Sequence, residues 1–163
     1  MILTLWRHGD AESGVTDRLR QISDSGSIDV SAGCHQLRSI CSAKRLLQPQ
    51  RILYSPWVRT AQTAEIIAAN FSQCSLAAAD ALRPDSNVAS VEAVIRSNDS
   101  AQHSVLVLHQ PLISALVDYY LGEFRSAPFI APGGLFTMSL GELGPGCGEK
   151  LFFACPPTYQ ESV

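Results

Sequence analysis

Two short apolar runs that end abruptly in polar residues constrain the fold of this chain more than any other feature. Residues 3–6 (LTLW) are followed by Arg7-His8-Gly9, and residues 104–108 (SVLVL) are followed by His109. Continuous apolar runs of this length are typical of strands that are buried on both faces of a parallel sheet. Because a buried strand carries the next residues to the edge of the sheet, the first run places a cation beside a nucleophilic imidazole. That layout suits an active site.

Helical patterns separate the apolar runs. Residues 10–27 are polar and contain two glycines and three aspartates, so we expect a loop there and a helix that begins near Ser27 and ends before Pro49. The inner stripe of this helix is Val30, Cys34, Leu37 and Cys41.

A strand followed by a second helix is predicted in the middle of the chain. Residues 51–54 form the strand, Ser55 is expected to be the N-cap, and Pro56 is expected at the first helical position. Arg59 then lies in the first turn, near the positive end of the helix dipole, where anions collect. The inner face of this helix comprises Ala61, Ala64, Ile67, Ala68 and Phe71.

The second half of the chain repeats the alternation. We expect a weak strand over residues 76–79, a helix capped by residues 85–87, and a helix that starts after Pro111 and ends at Gly122. Residues 134–140 and 150–153 are expected to form a hairpin around the turn at 141–148. The tail from Pro156 is expected to fray.

Strands that alternate with helices predict βαβ units with right-handed crossovers. The expected fold is therefore an α/β three-layer α/β/α sandwich with a mostly parallel central sheet and a C-terminal hairpin. At 163 residues, of which 46% are hydrophobic, the chain can close one sizeable core but is short for two. We expect a single domain over residues 1–155 and a frayed tail over residues 156–163.

Composition excludes several classes of partner and cofactor. The formal charge is −3 and there is no Lys/Arg run, so we expect neither nucleic acid nor an anionic membrane as a partner. The first apolar run is interrupted by Arg7 too early for a signal peptide or a membrane span, which predicts a cytoplasmic protein. Five cysteines without a C-x-x-C pair argue against disulfides and zinc, and no Asp-rich magnesium site is evident. No metal or cofactor is expected.

The residues at the predicted strand ends would form a cationic pocket. Ligands of such sheets bind outside the carboxyl ends of the strands, where His8, Arg59 and His109 can converge. Guanidinium groups bind oxygens in pairs and can stabilise a phosphoryl transition state without a metal. A neutral His8 could attack phosphorus in line, and His109 could act as a second donor to the phosphoryl oxygens. The arginines that could join the pocket are Arg7, Arg20 and Arg59.

Three motifs in this order resemble the signature of the histidine phosphatase superfamily, which has the phosphoglycerate mutase-like fold. They are Arg7-His8-Gly9, the segment SPWVRTAQTA at residues 55–64, and His109-Gln110-Pro111. The short length, the residue Asp10, the segment RQIS at 20–23 and the segment LRP at 82–84 are similar to SixA-type phosphohistidine phosphatases.

The resemblance implies roles for individual residues. His8 would be the phosphorylated nucleophile, and Arg7, Arg59 and His109 would bind phosphate. Arg20 would be a fourth phosphate ligand, with Arg18 as the competing candidate. The short relatives usually read R-P-L-[ST] where this chain has RQIS, so the loop departs from their pattern at this position.

The resemblance also bears on the proton donor and the substrate. Larger members of the superfamily carry an acidic donor in an inserted segment. This chain has no insertion long enough to match one, which leaves Asp17 as the candidate acid. A site without an insertion is uncovered and suits a phosphohistidine on a protein surface, such as a histidine phosphotransfer domain or a phosphotransferase carrier. The alternatives are a phosphatase of small phosphomonoesters or nucleotides and a non-catalytic phosphate-binding adaptor.

Overall fold

Strands β1 (Ile2–Arg7) and β4 (His103–Leu108) lie side by side at the centre of a six-stranded sheet, in a computed structural model that describes residues 1–97 and 100–161. The other strands are β2 (Arg51–Tyr54), β3 (Ser75–Ala78), β5 (Leu135–Leu140) and β6 (Gly148–Ala154). The order across the sheet is β3-β2-β4-β1-β5-β6. The first four strands in that order are parallel, and β5 and β6 form the predicted antiparallel hairpin.

Four helices cover the two faces of this sheet: α1 (Asp24–Ala43), α2 (Val58–Asn70), α3 (Val88–Arg96) and α4 (Leu112–Leu121). Alternation along β4 shows the layering, because Val105 and Val107 pack in the cluster with α1 and α2, while Leu106 and Leu108 pack with α3 and α4. The predicted α/β sandwich is confirmed. No helix in the described part of the chain is long and apolar enough to span a membrane.

The helix α1 begins three residues earlier than predicted. Its N-cap is Ser23, whose Oγ accepts a hydrogen bond from the backbone N–H of Gly26 at 3.0 Å. A Cβ at Gly26 would overlap the carbonyl oxygen of Asp10. Gly26, which suggested a loop, therefore lies inside the first turn of α1. Only glycine leaves room there for the backbone that follows β1.

The helix α2 begins at Val58, with Trp57 as its N-cap. The predicted capping role of Ser55 is wrong, because its side chain faces the end of β4. The inner stripe was predicted correctly at Ala64, Ile67 and Phe71, which are buried.

The tail is packed where fraying was expected. Tyr159 is 2% exposed, and its hydroxyl donates a hydrogen bond to the carbonyl of Gly133 at 3.0 Å. The same glycine has a φ of +80°, and its N–H donates to the carbonyl of His8 at 2.9 Å. The tail thus supports the loop behind the first strand end. Residues 162–163 lie outside the described part of the chain.

We predict that Tyr159→Ala lowers the free energy of unfolding by about 3–5 kcal/mol, because a large buried aromatic ring and its hydrogen bond are lost. Denaturant titration measures the change. The matched control is Gln160→Ala, since the neighbouring side chain is exposed and its loss should change stability by less than about 0.5 kcal/mol. Equal stability of the two variants would mean that the tail contributes nothing.

Candidate active site

The predicted site residues converge on one cavity at the carboxyl ends of the parallel strands. The cavity has a volume of about 410 Å³. Arg7 is the last residue of β1 and His8 follows it, Arg59 is in the first turn of α2, and His109 follows β4. The full lining comprises Arg7, His8, Asp10, Ala11, Asp17, Arg20, Arg59, Pro84, His109, Gln110 and Pro132.

The imidazole of His8 is held in its neutral form. Its Nδ1 lies 2.8 Å from the carbonyl oxygen of Gly9, which can only accept, so Nδ1 carries the proton. The Nε of Arg59 donates to Nε2 of His8 at 3.1 Å, so Nε2 carries no proton and its lone pair accepts this hydrogen bond. Burial, followed by the charges of nearby arginines, lowers the pKa of His8 from 6.5 to about 4. At neutral pH the cavity therefore contains an unprotonated Nε2.

His109 lies against His8, with 5.2 Å between the ring centroids. Arg59 Nη2 faces its Nδ1 at 3.4 Å, and its Nε2 is 2.9 Å from Ser55 Oγ. Since the guanidinium can only donate, Nδ1 accepts and Nε2 donates to Ser55. Burial first, and then His8 and Arg59, lower the pKa of His109 to about 3. Ser55, which the sequence predicted as the N-cap of α2, therefore contacts a histidine of the site instead.

Arg59 connects the two histidines to the loop after β1. It is 5% exposed, and its Nη1 donates to the carbonyl of Asp17 at 2.7 Å. Its Nη2 lies 3.3 Å from the Asp17 carboxylate, and its guanidinium carbon is 4.8 Å from the centroid of the Trp57 ring. A buried guanidinium with several directed contacts is a pre-oriented binding group for an oxyanion.

Of the other two arginines of the cavity, Arg7 is at the end of β1 and Arg20 is in the loop between β1 and α1. Arg7 donates through Nη1 to the carbonyl of Ile130 at 2.8 Å, and its buried Nε has no hydrogen-bond partner within the described residues. Arg20 donates from Nε to the carbonyl of Glu12 at 2.7 Å and also lines the cavity, whereas Arg18 is exposed and is not part of the lining.

Asp17 is placed between two cations. One carboxylate oxygen is 3.0 Å from Arg20 Nη1, and the other is 3.3 Å from Arg59 Nη2. The hydrogen bond from Arg20, followed by the charge and hydrogen bond of Arg59, lowers the pKa of Asp17 below its usual value. A general acid must hold a proton near neutral pH, so this environment disfavours Asp17 in that role. Asp10 also lines the cavity, so two aspartates are among its lining residues.

Side chains of α2 hold the segment after β1, from Gly9 to Ile22, in place. The N–H of Gly9 donates to Thr63 Oγ1 at 3.0 Å, and the Thr63 hydroxyl donates to the carbonyl of Arg59 at 2.7 Å. Gln62 Oε1 accepts the N–H of Ile22 at 2.8 Å. Both side chains belong to the segment TAQTA that marked the helix motif, and their positioning roles could have been inferred only from the fold.

The arrangement favours an anionic ligand. Three guanidinium groups and two carboxylates line the cavity, which leaves a surplus of positive charge around the Nε2 of His8. Within residues 1–97 and 100–161, no three His, Cys, Asp or Glu side chains come together in a group that could hold a metal ion. The site can bind a tetrahedral oxyanion through fixed donors and present a nucleophilic nitrogen to its central atom.

A family model of the histidine phosphatase superfamily (branch 1) matches residues 3–84. This range includes His8 and the arginines of the cavity. No curated protein sequence matches the chain.

Solved structures with the same fold cover most of the chain. One is the protein histidine phosphatase SixA in complex with tungstate, with a TM-score of 0.77, 23% identity, and coverage of 96% of this chain and 97% of that one. A second is the putative phosphohistidine phosphatase SixA from Agrobacterium tumefaciens, with a TM-score of 0.75, 19% identity, and coverage of 95% and 97%. A mycobacterial glucosyl-3-phosphoglycerate phosphatase has a TM-score of 0.63, 17% identity, and coverage of 86% and 90%. At these identities the likeness establishes the fold.

We predict that the imidazole of His8 titrates near pH 4 in the folded protein, where an unfolded chain titrates near 6.5. Because the unfolded state then binds more protons, the free energy of unfolding should fall as the pH drops through this window, by up to about 1.4 kcal/mol per pH unit for this group. An NMR titration of the ring Cε1–H signals measures the midpoint, and His8→Gln assigns the signal. A midpoint at or above 6.5 would contradict the description of His8 as a buried neutral base.

Proposed function

Because the chain belongs to the histidine phosphatase superfamily, we propose that it is a metal-independent phosphatase that acts on phosphohistidine. Its substrate would be a signalling or phosphotransfer protein, and the reaction would pass through a phosphohistidine intermediate on His8. The observation that carries the proposal is the unprotonated Nε2 of His8, which lies in a cavity lined by three arginines and accepts a hydrogen bond from one of them.

The first step is transfer of the phosphoryl group to His8. A lone pair on Nε2 forms a bond to phosphorus as the P–N bond to the substrate histidine breaks, and the bonding pair leaves with the substrate nitrogen. Arg7, Arg20 and Arg59 would bind the phosphoryl oxygens. Arg59 would exchange its hydrogen bonds to Nε2 of His8 and to Asp17 for contacts with the substrate, which frees the Nε2 lone pair for the attack. In the second step, water attacks phosphorus as the P–Nε2 bond breaks, the bonding pair returns to Nε2 of His8, and the two protons of the water leave with the phosphate.

The choice of phosphohistidine rests on the proton donor. An alkyl ester must expel an alkoxide and needs an acid, but Asp17 is held as a carboxylate by two arginines. The nitrogen of a phosphoramidate leaves far more readily, so a site in which Asp17 holds no proton to donate suits this bond. The SixA structure in complex with tungstate supports the same chemistry, since tungstate is a tetrahedral oxyanion like phosphate.

The partner we propose is a histidine phosphotransfer domain or a phosphotransferase carrier that presents phosphohistidine on its surface. A cytoplasmic location fits the five free cysteines, because thiols persist in reducing compartments. A phosphatase of small phosphomonoesters is the second candidate, since the glucosyl-3-phosphoglycerate phosphatase shares the fold.

Steady-state kinetics separate these candidates. We predict that kcat/KM is much higher for a histidine phosphotransfer domain carrying phosphohistidine than for p-nitrophenyl phosphate, and that EDTA leaves both values unchanged. A higher kcat/KM on the ester would favour the second candidate. Loss of activity in EDTA that a divalent ion restores would contradict the arginine-based mechanism, and no turnover of either substrate would favour an adaptor.

Two variants test the proposed roles of the arginines, and a third variant is their control. We predict that Arg59→Ala and Arg20→Ala each cost about 2–4 kcal/mol of transition-state stabilisation, because each removes a fixed donor to the phosphoryl group. Arg18→Ala is the control, since its side chain is exposed and outside the cavity lining. The change is measured as kcat/KM on a phosphohistidine substrate. Equal effects at positions 18 and 20 would remove Arg20 from the proposed site.

A further inference from the structure

The loop after β1 lines part of the cavity and also exposes apolar side chains. Residues 10–22 contribute four residues to the cavity lining, and the same loop exposes Leu19 by 63% and leaves Val15 fully exposed. Backbone hydrogen bonds order this loop, because Glu12 N–H donates to the carbonyl of Gln21 at 2.8 Å. Its apolar side chains are therefore displayed on a fixed backbone.

The loop between α4 and β5 also contributes to the cavity lining and exposes an apolar side chain. Phe129 is 79% exposed, the next residue accepts the hydrogen bond from Arg7, and Pro132 lines the cavity. This loop is also fixed, since the carboxylate of Asp118 accepts backbone N–H groups from residues 125, 126 and 127 at 3.0, 3.0 and 2.7 Å. An aromatic ring on an ordered loop loses little conformational freedom when a partner covers it.

These side chains lie outside the space that a small substrate would fill. His8 is 9% exposed, so a phosphoryl group must be carried into the cavity to reach it. A phosphorylated side chain that projects from a protein surface does this, and the surface around it would then meet both loops. Exposed apolar side chains on ordered loops beside a catalytic cavity are typical of a protein contact.

We infer that Val15, Leu19 and Phe129 form a docking surface, the rim patch, for the folded protein that carries the phosphohistidine. The inference rests on the proposed function and adds the surface that selects a protein over a small phosphoramidate. The partner should present apolar side chains around its phosphohistidine. Apolar burial at the rim patch would lower KM for the protein without changing the chemistry at His8.

Phe124 provides a matched control in the same loop. It is 83% exposed, close to the exposure of Phe129. It follows Gly122, which packs against Gly146 in the β5–β6 turn, and that turn lies at the end of the sheet where β1 begins. Phe124 therefore has the same chemistry as Phe129 but is located far from the cavity.

The experiment measures kcat/KM for two substrates: a histidine phosphotransfer domain phosphorylated on its histidine, and potassium phosphoramidate. Leu19→Ser and Phe129→Ser should each lower kcat/KM for the domain by about fivefold to thirtyfold, mainly through KM, which is the range of interface hot spots. The same variants should leave phosphoramidate hydrolysis within about twofold of the original protein, and Phe124→Ser should leave both substrates unchanged.

The other outcomes separate the rim patch from the proposed function. Equal effects on both substrates, or an effect of Phe124→Ser as large as that of Phe129→Ser, would overturn the rim patch. Hydrolysis of phosphoramidate without turnover of the phosphorylated domain would also overturn it, while the phosphatase chemistry would stand. No hydrolysis of either substrate by the original protein would instead overturn the proposed function.

Discussion

The site depends on the contacts that the guanidinium of Arg59 makes with His8 and His109. It donates to the Nε2 of His8 and faces Nδ1 of His109, so a single cation sets the orientation of both rings. A cation that close disfavours a second positive charge, and together with burial it keeps both imidazoles neutral. The first turn of α2 holds Arg59 in place, and Thr63 of the same helix accepts a hydrogen bond from the N–H of Gly9, the residue after His8. The nucleophile and its anion-binding group are thus fixed by one helix.

Much of this structure could be predicted because it follows from local patterns. Apolar runs predicted the central strands, helical spacing predicted the buried stripes, and the polar residues after each strand predicted where His8, Arg59 and His109 would meet. The roles of Ser55 and Thr63 could not be predicted, because their partners are more than 50 positions away in the sequence. The tail was mispredicted for a similar reason. A Pro-rich ending suggests fraying, and only the packed fold shows that Tyr159 fills a space beside Gly33.

Asp17 shows how environment decides the chemistry of a residue. As a loop carboxylate it was the candidate acid, but two arginines hold it ionised. The same contacts suggest that Asp17 competes with a phosphoryl group for the arginines and must give way when a substrate binds. A cavity with strong oxyanion donors, in which Asp17 is held as a carboxylate, is better matched to a P–N bond than to an alkyl ester. The proposed substrate class therefore rests on the charges that surround one aspartate.

Direct detection of the phosphorylated enzyme tests the central claim, that Nε2 of His8 is the nucleophile. The protein would be mixed with a ³²P-labelled phosphohistidine protein, quenched within milliseconds in alkali, and analysed by peptide mapping and ³¹P NMR. The account predicts an alkali-stable, acid-labile label on the peptide that contains His8, bonded at Nε2, and no label in His8→Ala. A label on His109, a label at Nδ1 of His8, or turnover by His8→Ala would contradict it.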